Sequence, residues 1–346
     1  MAGSTTLAAV GPTAIPAHAD GTLGPPTPSA APEPTRAPTP DATRKPPRNA
    51  DPTPPPAPNP TPAPTPNPPK PKPCPLFPAD NVWNQRVDGL PVHAKSDTYI
   101  ETIGIDGYLH PDFSSTAWNG GVGYGIPFNV VDPSTPDSKV SFQYAGESDP
   151  GPYPIPANPK IEGGSDRHLL MWDKEGCDLY ELFNARRSGG KWVAGSGAIW
   201  NLRSNALRPN GWTSADAAGL PILPGFARYD EVAAGVIRHA LRFTAPRTCS
   251  AHIYPARHDA GDWPCSTYPP MGLRVRLKAD VDISGFGPQA RVILTALKRY
   301  GMLLADNGSP WYVTGAPNAH WNDDQLHDFH QLHGSDFEVV DTSGLR

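Results

Sequence analysis

Carboxylates set among apolar residues are the first feature of this chain that could do chemistry. In "DRHLLMWDKEGCDLYELFNA" a turn at Glu175-Gly176 sets Leu170 opposite Glu181 and His168 opposite Phe183, whether the loop holds two residues or four. One hairpin face then carries Asp166, His168, Leu170, Trp172, Leu179, Glu181 and Phe183. Desolvation of Glu181 beside Leu170, Leu179 and Phe183 raises its pKa, the condition a general acid needs near neutral pH. Paired with an arginine, the same glutamate would be structural. Asp166 and His168 could charge or orient a substrate, or form a hydrogen-bonded core pair.

Further candidates lie downstream. In "TSADAAGLPILPGFARYDEVAAGVIRHALRFT", Asp216 sits in a loop restrained by Pro221 and Pro224. The segment "VIRHALRFT" reads as a strand with Ile237, His239, Leu241 and Phe243 inward and Arg238, Ala240 and Arg242 outward. "PARHDAGDWP" offers His258 on a loop after a strand, and "LLADNGSPWYVTG" ends a strand at Asp306 shortly before Trp311. A carboxylate beside an indole suits a sugar, whose hydroxyls need acceptors and whose ring face is apolar. Asp-Asn-Gly is also ordinary turn chemistry.

Together these residues suggest a glycoside hydrolase acting on a plant or microbial glucan. Such enzymes use two carboxyls, about 5–5.5 Å apart for retention and about 6.5–9.5 Å apart for inversion. Glu181 is the expected acid and Asp216 its partner, with Asp166, His168, His239, Arg242, His258, Asp306 and Trp311 holding the sugar. A second reading is a lyase acting on a uronate polymer, with His239, His258 or Tyr254 as base and Arg242 and Arg257 neutralising the carboxylate. A third is a non-catalytic carbohydrate-binding or cell-wall-associated module, which needs only the aromatic residues.

Other motifs carry little weight. "GGVGYG" lacks the Gly-Lys-Ser/Thr of a phosphate-binding loop, and no G-x-S-x-G is present. His327, His330 and His333 fit a polar helix face as well as a metal site, so no metal is expected, with calcium in an Asp-rich loop left open.

The elements that must position these residues are mostly short strands bounded by Gly, Pro, Asn or Asp, such as "KVSFQYA", "AIWNL", "LRVRLKA" and "FEVVDT". They imply a mainly β domain, a jelly roll or β-sandwich, with two or three short helices. "GPQARVILTALKRYG" and "NDDQLHDFHQLHG" have the starts, spacing and glycine stops of helices. The domain spans residues 74–346 as a single unit. Before it, residues 20–73 read as a disordered Pro/Thr/Ala-rich tether, and 1–19 as the remnant of a secretion signal ending in Ala17-His18-Ala19.

Residues 1–73 hold 6 Lys/Arg and 4 Asp/Glu, so of the chain's 29 and 34 the domain keeps 23 and 30, a net charge of 23 − 30 = −7. That excludes the basic footprint of a general nucleic-acid binder, and no apolar run is long enough to span a membrane. The expected protein is a secreted, extracellular monomer whose partner is a polysaccharide. Four cysteines in a secreted chain imply disulfides; of three possible pairings, Cys74–Cys177 and Cys249–Cys265 are preferred.

The stretches "SADAAGLP", "ESDPGPYPIP", "DRHLLMWD", "LYELFNA", "HALRFT", "PARH", "MGLRVRLKAD" and "ADNG" resemble a broad group of secreted bacterial and fungal proteins. The resemblance covers most of residues 77–340 and implies one secreted domain; it transfers no catalytic residue.

Overall fold

Short apolar runs between turn residues form strands that must bury one or both faces. In the computed structural model of the chain they build two larger sheets. The residues it describes are 74–115, 117–118 and 122–345. The expected signal remnant (1–19) and tether (20–73) lie outside them. The first sheet has six strands: β1 (His110–Asp112), β6 (Leu241–Ala245), β7 (Arg274–Leu277), β8 (Met302–Asn307), β9 (Tyr312–Thr314) and β10 (Phe337–Val339), in the order β1-β9-β6-β8-β7-β10. The second has four: β2 (Phe128–Val131), β3 (Leu169–Asp173), β4 (Asp178–Phe183) and β5 (Ser196–Asn201), in the order β5-β4-β3-β2. The domain is mainly β. Both sheets mix orientations, with β6 parallel to β8 and β2 parallel to β3.

One apolar core joins the sheets. Leu170, Trp172, Leu179 and Trp200 from the four-stranded sheet share it with Leu241, Phe243 and Leu304 from the six-stranded one. Leu169, Met171 and Leu182 alternate onto the opposite face, where Tyr153 and Trp192 cover them. The β3–β4 hairpin has the expected register, Leu170 opposite Glu181 and Trp172 opposite Leu179. Both disulfides form, with the pairing preferred from the sequence.

Among the described residues four α-helices accompany the sheets, against the two or three expected: α1 (Ser96–Gly104), α2 (Tyr229–Ala233), α3 (Pro288–Arg299) and α4 (Asp323–His327). Helix α3 starts on Pro288 in its first turn, buries Ile293, Leu294 and Leu297, and carries Lys298 and Arg299 where the helix dipole favours cations. Gly301 stops it at φ +66°, where an added Cβ would stand 2.2 Å from the Val275 carbonyl oxygen. No helix among the described residues is long and apolar enough to cross a membrane.

The strand expected over "VIRHALRFT" begins later, at Leu241. Arg242, expected on a wet face, is buried between Leu241 and Phe243, which are buried as well. The outward reading assumed one solvated face, and a central strand of six has none.

Candidate functional site

A cleft of about 420 Å³ opens beside the ends of both sheets, with Glu147, Asp166, Ser196, Asp216, His258 and Asp306 in its lining. Three local features place its acids.

The first is a β-bulge. β6 and β8 pair regularly from Leu241–Met302 to Phe243–Leu304, and then Thr244 pairs with Asp306 and Ala305 is left over. Parallel partners share a face, and simple alternation from Leu303, the partner of Arg242, would send Asp306 to the other side. The extra residue brings Asp306 onto the Arg242 face. Its Oδ1 accepts the Asn307 N–H at 2.7 Å.

The second is the loop bearing Asp216. The Ala218 N–H donates to the Ala305 carbonyl at 2.9 Å, so the bulge itself anchors this loop. The Ser214 hydroxyl donates to the Leu220 carbonyl at 2.5 Å, and the Ser196 hydroxyl to the Ser214 carbonyl at 2.5 Å. Farther along, the N–H groups of Ile222 and Leu223 donate to Glu181 at 2.9–3.0 Å.

The third is Arg242, which lies beneath the cleft. Its Nε and Nη2 donate to the two oxygens of Asp216 at 3.1 and 2.8 Å, and its Nη1 to the Thr314 hydroxyl at 2.6 Å. The fork fixes Asp216 in both position and orientation.

Asp216 and Asp306 are within hydrogen-bonding reach of each other, and the Asp216 carboxylate disfavours ionisation of Asp306. Burial pushes Asp306 up to about 7, and the neighbouring Asp216 pushes the same way. Burial raises Asp216 too, opposed by the Arg242 guanidinium that forks onto both of its oxygens. Asp306, part-exposed at the cleft, is therefore a carboxylic acid that exchanges its proton near neutral pH.

Behind the dyad stands a second charged pair. Glu162 Oε2 lies 2.5 Å from His168 Nδ1, and His168 Nε2 donates to the Ala215 carbonyl at 3.0 Å, next to Asp216. Burial works to lower the His168 pKa, but the Glu162 carboxylate outweighs it and lifts it to about 8. Glu162 is correspondingly lowered, its burial outweighed by His168. Asp112 is raised by burial, offset in part by its hydrogen bond with Tyr124.

Glu147 completes the wall. Its Oε2 accepts the Thr213 N–H at 3.2 Å and lies 3.9 Å from His258 Nε2, whose other nitrogen donates to the Ala217 carbonyl at 2.8 Å. Buried Arg208 ties the two sides, donating to the carbonyls of Glu147 and Thr213 at 2.8 and 2.7 Å.

The sequence candidates thus divide. Asp166, Asp216, His258 and Asp306 line the one cleft, with His168 and Arg242 supporting it from behind and below. Glu181 does not line it. Enclosed completely, its carboxylate accepts from Ile222, Leu223 and, at 3.1 Å, the Trp200 indole, which is the work of a loop anchor. His239 lies in another pocket, where Glu231 Oε2 is 3.0 Å from its Nε2. Trp311 offers no face to a ligand: it is fully buried between Phe243 and Phe337 and donates to the Gly104 carbonyl at 2.7 Å. Arg257 donates to the Arg208 carbonyl, at 2.9 Å.

Glu147, Glu162 and Arg208 were not singled out from the sequence. Glu147 lies within "GESDPG", between turn residues, where a carboxylate draws no attention. Among the described residues no group of three or more His, Cys, Asp or Glu is arranged to hold a metal ion. Comparisons with known protein families, curated proteins and solved structures give no match.

Proposed function

We propose that the chain is a secreted glycoside hydrolase acting on a neutral polysaccharide, with Asp306 as general acid. The observation that carries this reading is the cleft carboxyl whose pKa is raised to about 7 beside an arginine-fixed carboxylate. Asp306 gives its proton to the glycosidic oxygen as the bond to the anomeric carbon breaks. Asp216, held by Arg242, positions that proton, and the Arg242 guanidinium offsets the negative charge left on Asp306. Glu147 is the second carboxylate. It takes a proton from the water that adds to the anomeric carbon, which balances the hydrolysis. Two disulfides suit an oxidising, extracellular setting.

The charge balance of the cleft favours this over a uronate lyase. Glu147 and Asp166 face one histidine, with the Asp216 charge already paired, so among the described residues the cleft offers a polyanionic chain no free arginine or lysine. Arg242, the cation nearest the acids, is already committed to Asp216.

The test is a panel of polysaccharides read by reducing ends, ultraviolet absorbance and mass spectrometry. Asp306→Asn and Glu147→Gln, checked for folding, should each lower the rate on the active polymer by roughly 10²–10⁴-fold. Wild-type rates in both variants would remove the assignment. An ultraviolet-absorbing unsaturated product would favour the lyase, and binding to a polymer with no product released would favour the module.

A further inference from the structure

A second cavity, of about 650 Å³, shares no lining residue with the acidic cleft. Its lining includes Phe128, Lys160, Lys174, Arg228, Tyr229 and Asn318. The side chain of Arg228 is only 7% exposed, yet much of its donor capacity is unused. Nη2 meets Glu231 at 2.8 Å, and Nε comes no nearer to Asp230 than 3.6 Å. Nε and Nη1 are both buried without a hydrogen-bond partner. Leaving a buried guanidinium half-satisfied is costly, and the usual reason is a partner supplied from outside the chain.

The surrounding charge says what that partner is. Lys160 and Lys174 are exposed at the same cavity, and Lys174 Nζ lies 4.2 Å from the Trp172 ring centroid. Against these three cations the cavity wall holds one acid, Asp230, whose side chain is 73% exposed; Glu231 does not line it. Unused donors on two edges of a guanidinium, flanked by flexible ammonium groups, match an oxyanion. Phe128 and Tyr229 supply apolar surface for whatever carries it.

We propose that this cavity binds a small oxyanion, a carboxylate, sulfate or phosphate, either free or borne on a sugar. Arg228 donates to the anion from an unused nitrogen, while Lys160 and Lys174 hold the remaining oxygens and draw the ligand in. The site is independent of the acid chemistry at Asp306.

Calorimetric titration of the full chain at low ionic strength tests this, with inorganic sulfate, inorganic phosphate and an oligoglucuronate as probes. Saturable one-to-one binding of at least one probe is expected. Binding of the inorganic ions alone would identify a free anion as the ligand, and stronger binding of the oligoglucuronate a glycan-borne one. Arg228→Gln should weaken binding at least about tenfold, the loss of a charge-assisted bond. The double variant Lys160→Ala/Lys174→Ala alters only exposed side chains and should weaken it to a similar extent with an unchanged melting temperature. Asp306→Asn should bind as the wild type does. Absence of saturable binding by all three probes, or affinity unaltered by both the Arg228 and the paired lysine variants, would overturn the proposal.

Discussion

Replacing Asp306 by Asn should make the protein more stable at alkaline pH while abolishing its proposed acid function. The neutral amide retains the geometry: one end donates to Asp216 and the other accepts the Asn307 N–H that Asp306 Oδ1 now receives at 2.7 Å. In the wild type the pKa rises from the ordinary 3.8 to about 7. The folded state thus prefers the protonated acid. That preference stabilises the fold fully below pH 3.8 and is lost as pH rises through about 7. The interval corresponds to on the order of 4 kcal/mol. This is a ceiling, because Asp306 is part-exposed at the cleft, and because the proton belongs to the Asp216–Asp306 pair rather than to one member. Asn carries no such dependence. Thermal unfolding of both proteins from acid to alkaline pH should show nearly equal midpoints in acid. On the alkaline side the variant should gain up to roughly 8 °C, at about 2 °C per kcal/mol for a domain of this size. Parallel curves, with a constant difference at every pH, would refute the reasoning, since they would mean that Asp306 is ionised in the native cleft as it is in the unfolded chain.

Glu181→Gln turns an amide N–H₂ toward donors that now meet a carboxylate, and should cost about 2 kcal/mol in urea denaturation at neutral pH; no loss would mean that Glu181 is already protonated. His168→Gln should remove about 2 kcal/mol of stability. The wild type holds that contribution below pH 6.5, while Glu162 remains ionised, and loses it as pH rises through about 8. Denaturation at several pH values would show the two proteins converging on the alkaline side. Removing the Cys249–Cys265 bond as the double serine variant opens a link spanning 16 positions and should lower stability by about 3 kcal/mol. Because His258 lies inside that loop, product formation should fall as well, in an assay run below the melting temperature.

Local rules carried far in this chain. The β3–β4 register follows from one turn, helix α3 from a proline, a spacing and a glycine, and the choice of disulfides from four cysteines in separate segments. The candidate acid was harder to identify. Glu181 lies on the apolar face assigned to it, but two backbone N–H groups from residues 222 and 223 satisfy it, and nothing in its own segment announces them. Asp306 reads from the sequence as a sugar-binding group beside an indole, whereas its raised pKa depends on Asp216, ninety positions earlier, and on a bulge that alternation does not reveal. Arg242 was turned outward by a rule suited to half-wet sheets. Trp311 looked like a surface indole because it follows a turn signal, although the chain folds back to enclose it.

The unpaired residue Ala305 gives the bulge a further meaning. Deleting it would leave a regular ladder with Asp306 still opposite Thr244, so the acid itself would keep its side of the sheet. What would vanish is the carbonyl that receives the Ala218 N–H, and with it the clasp holding the Asp216 loop against the strand. Strand and loop are thus two parts of one ratchet with a single tooth. A chain shorter by that one residue would retain every acid in its sequence and lose the hold that keeps Asp216 beside Asp306.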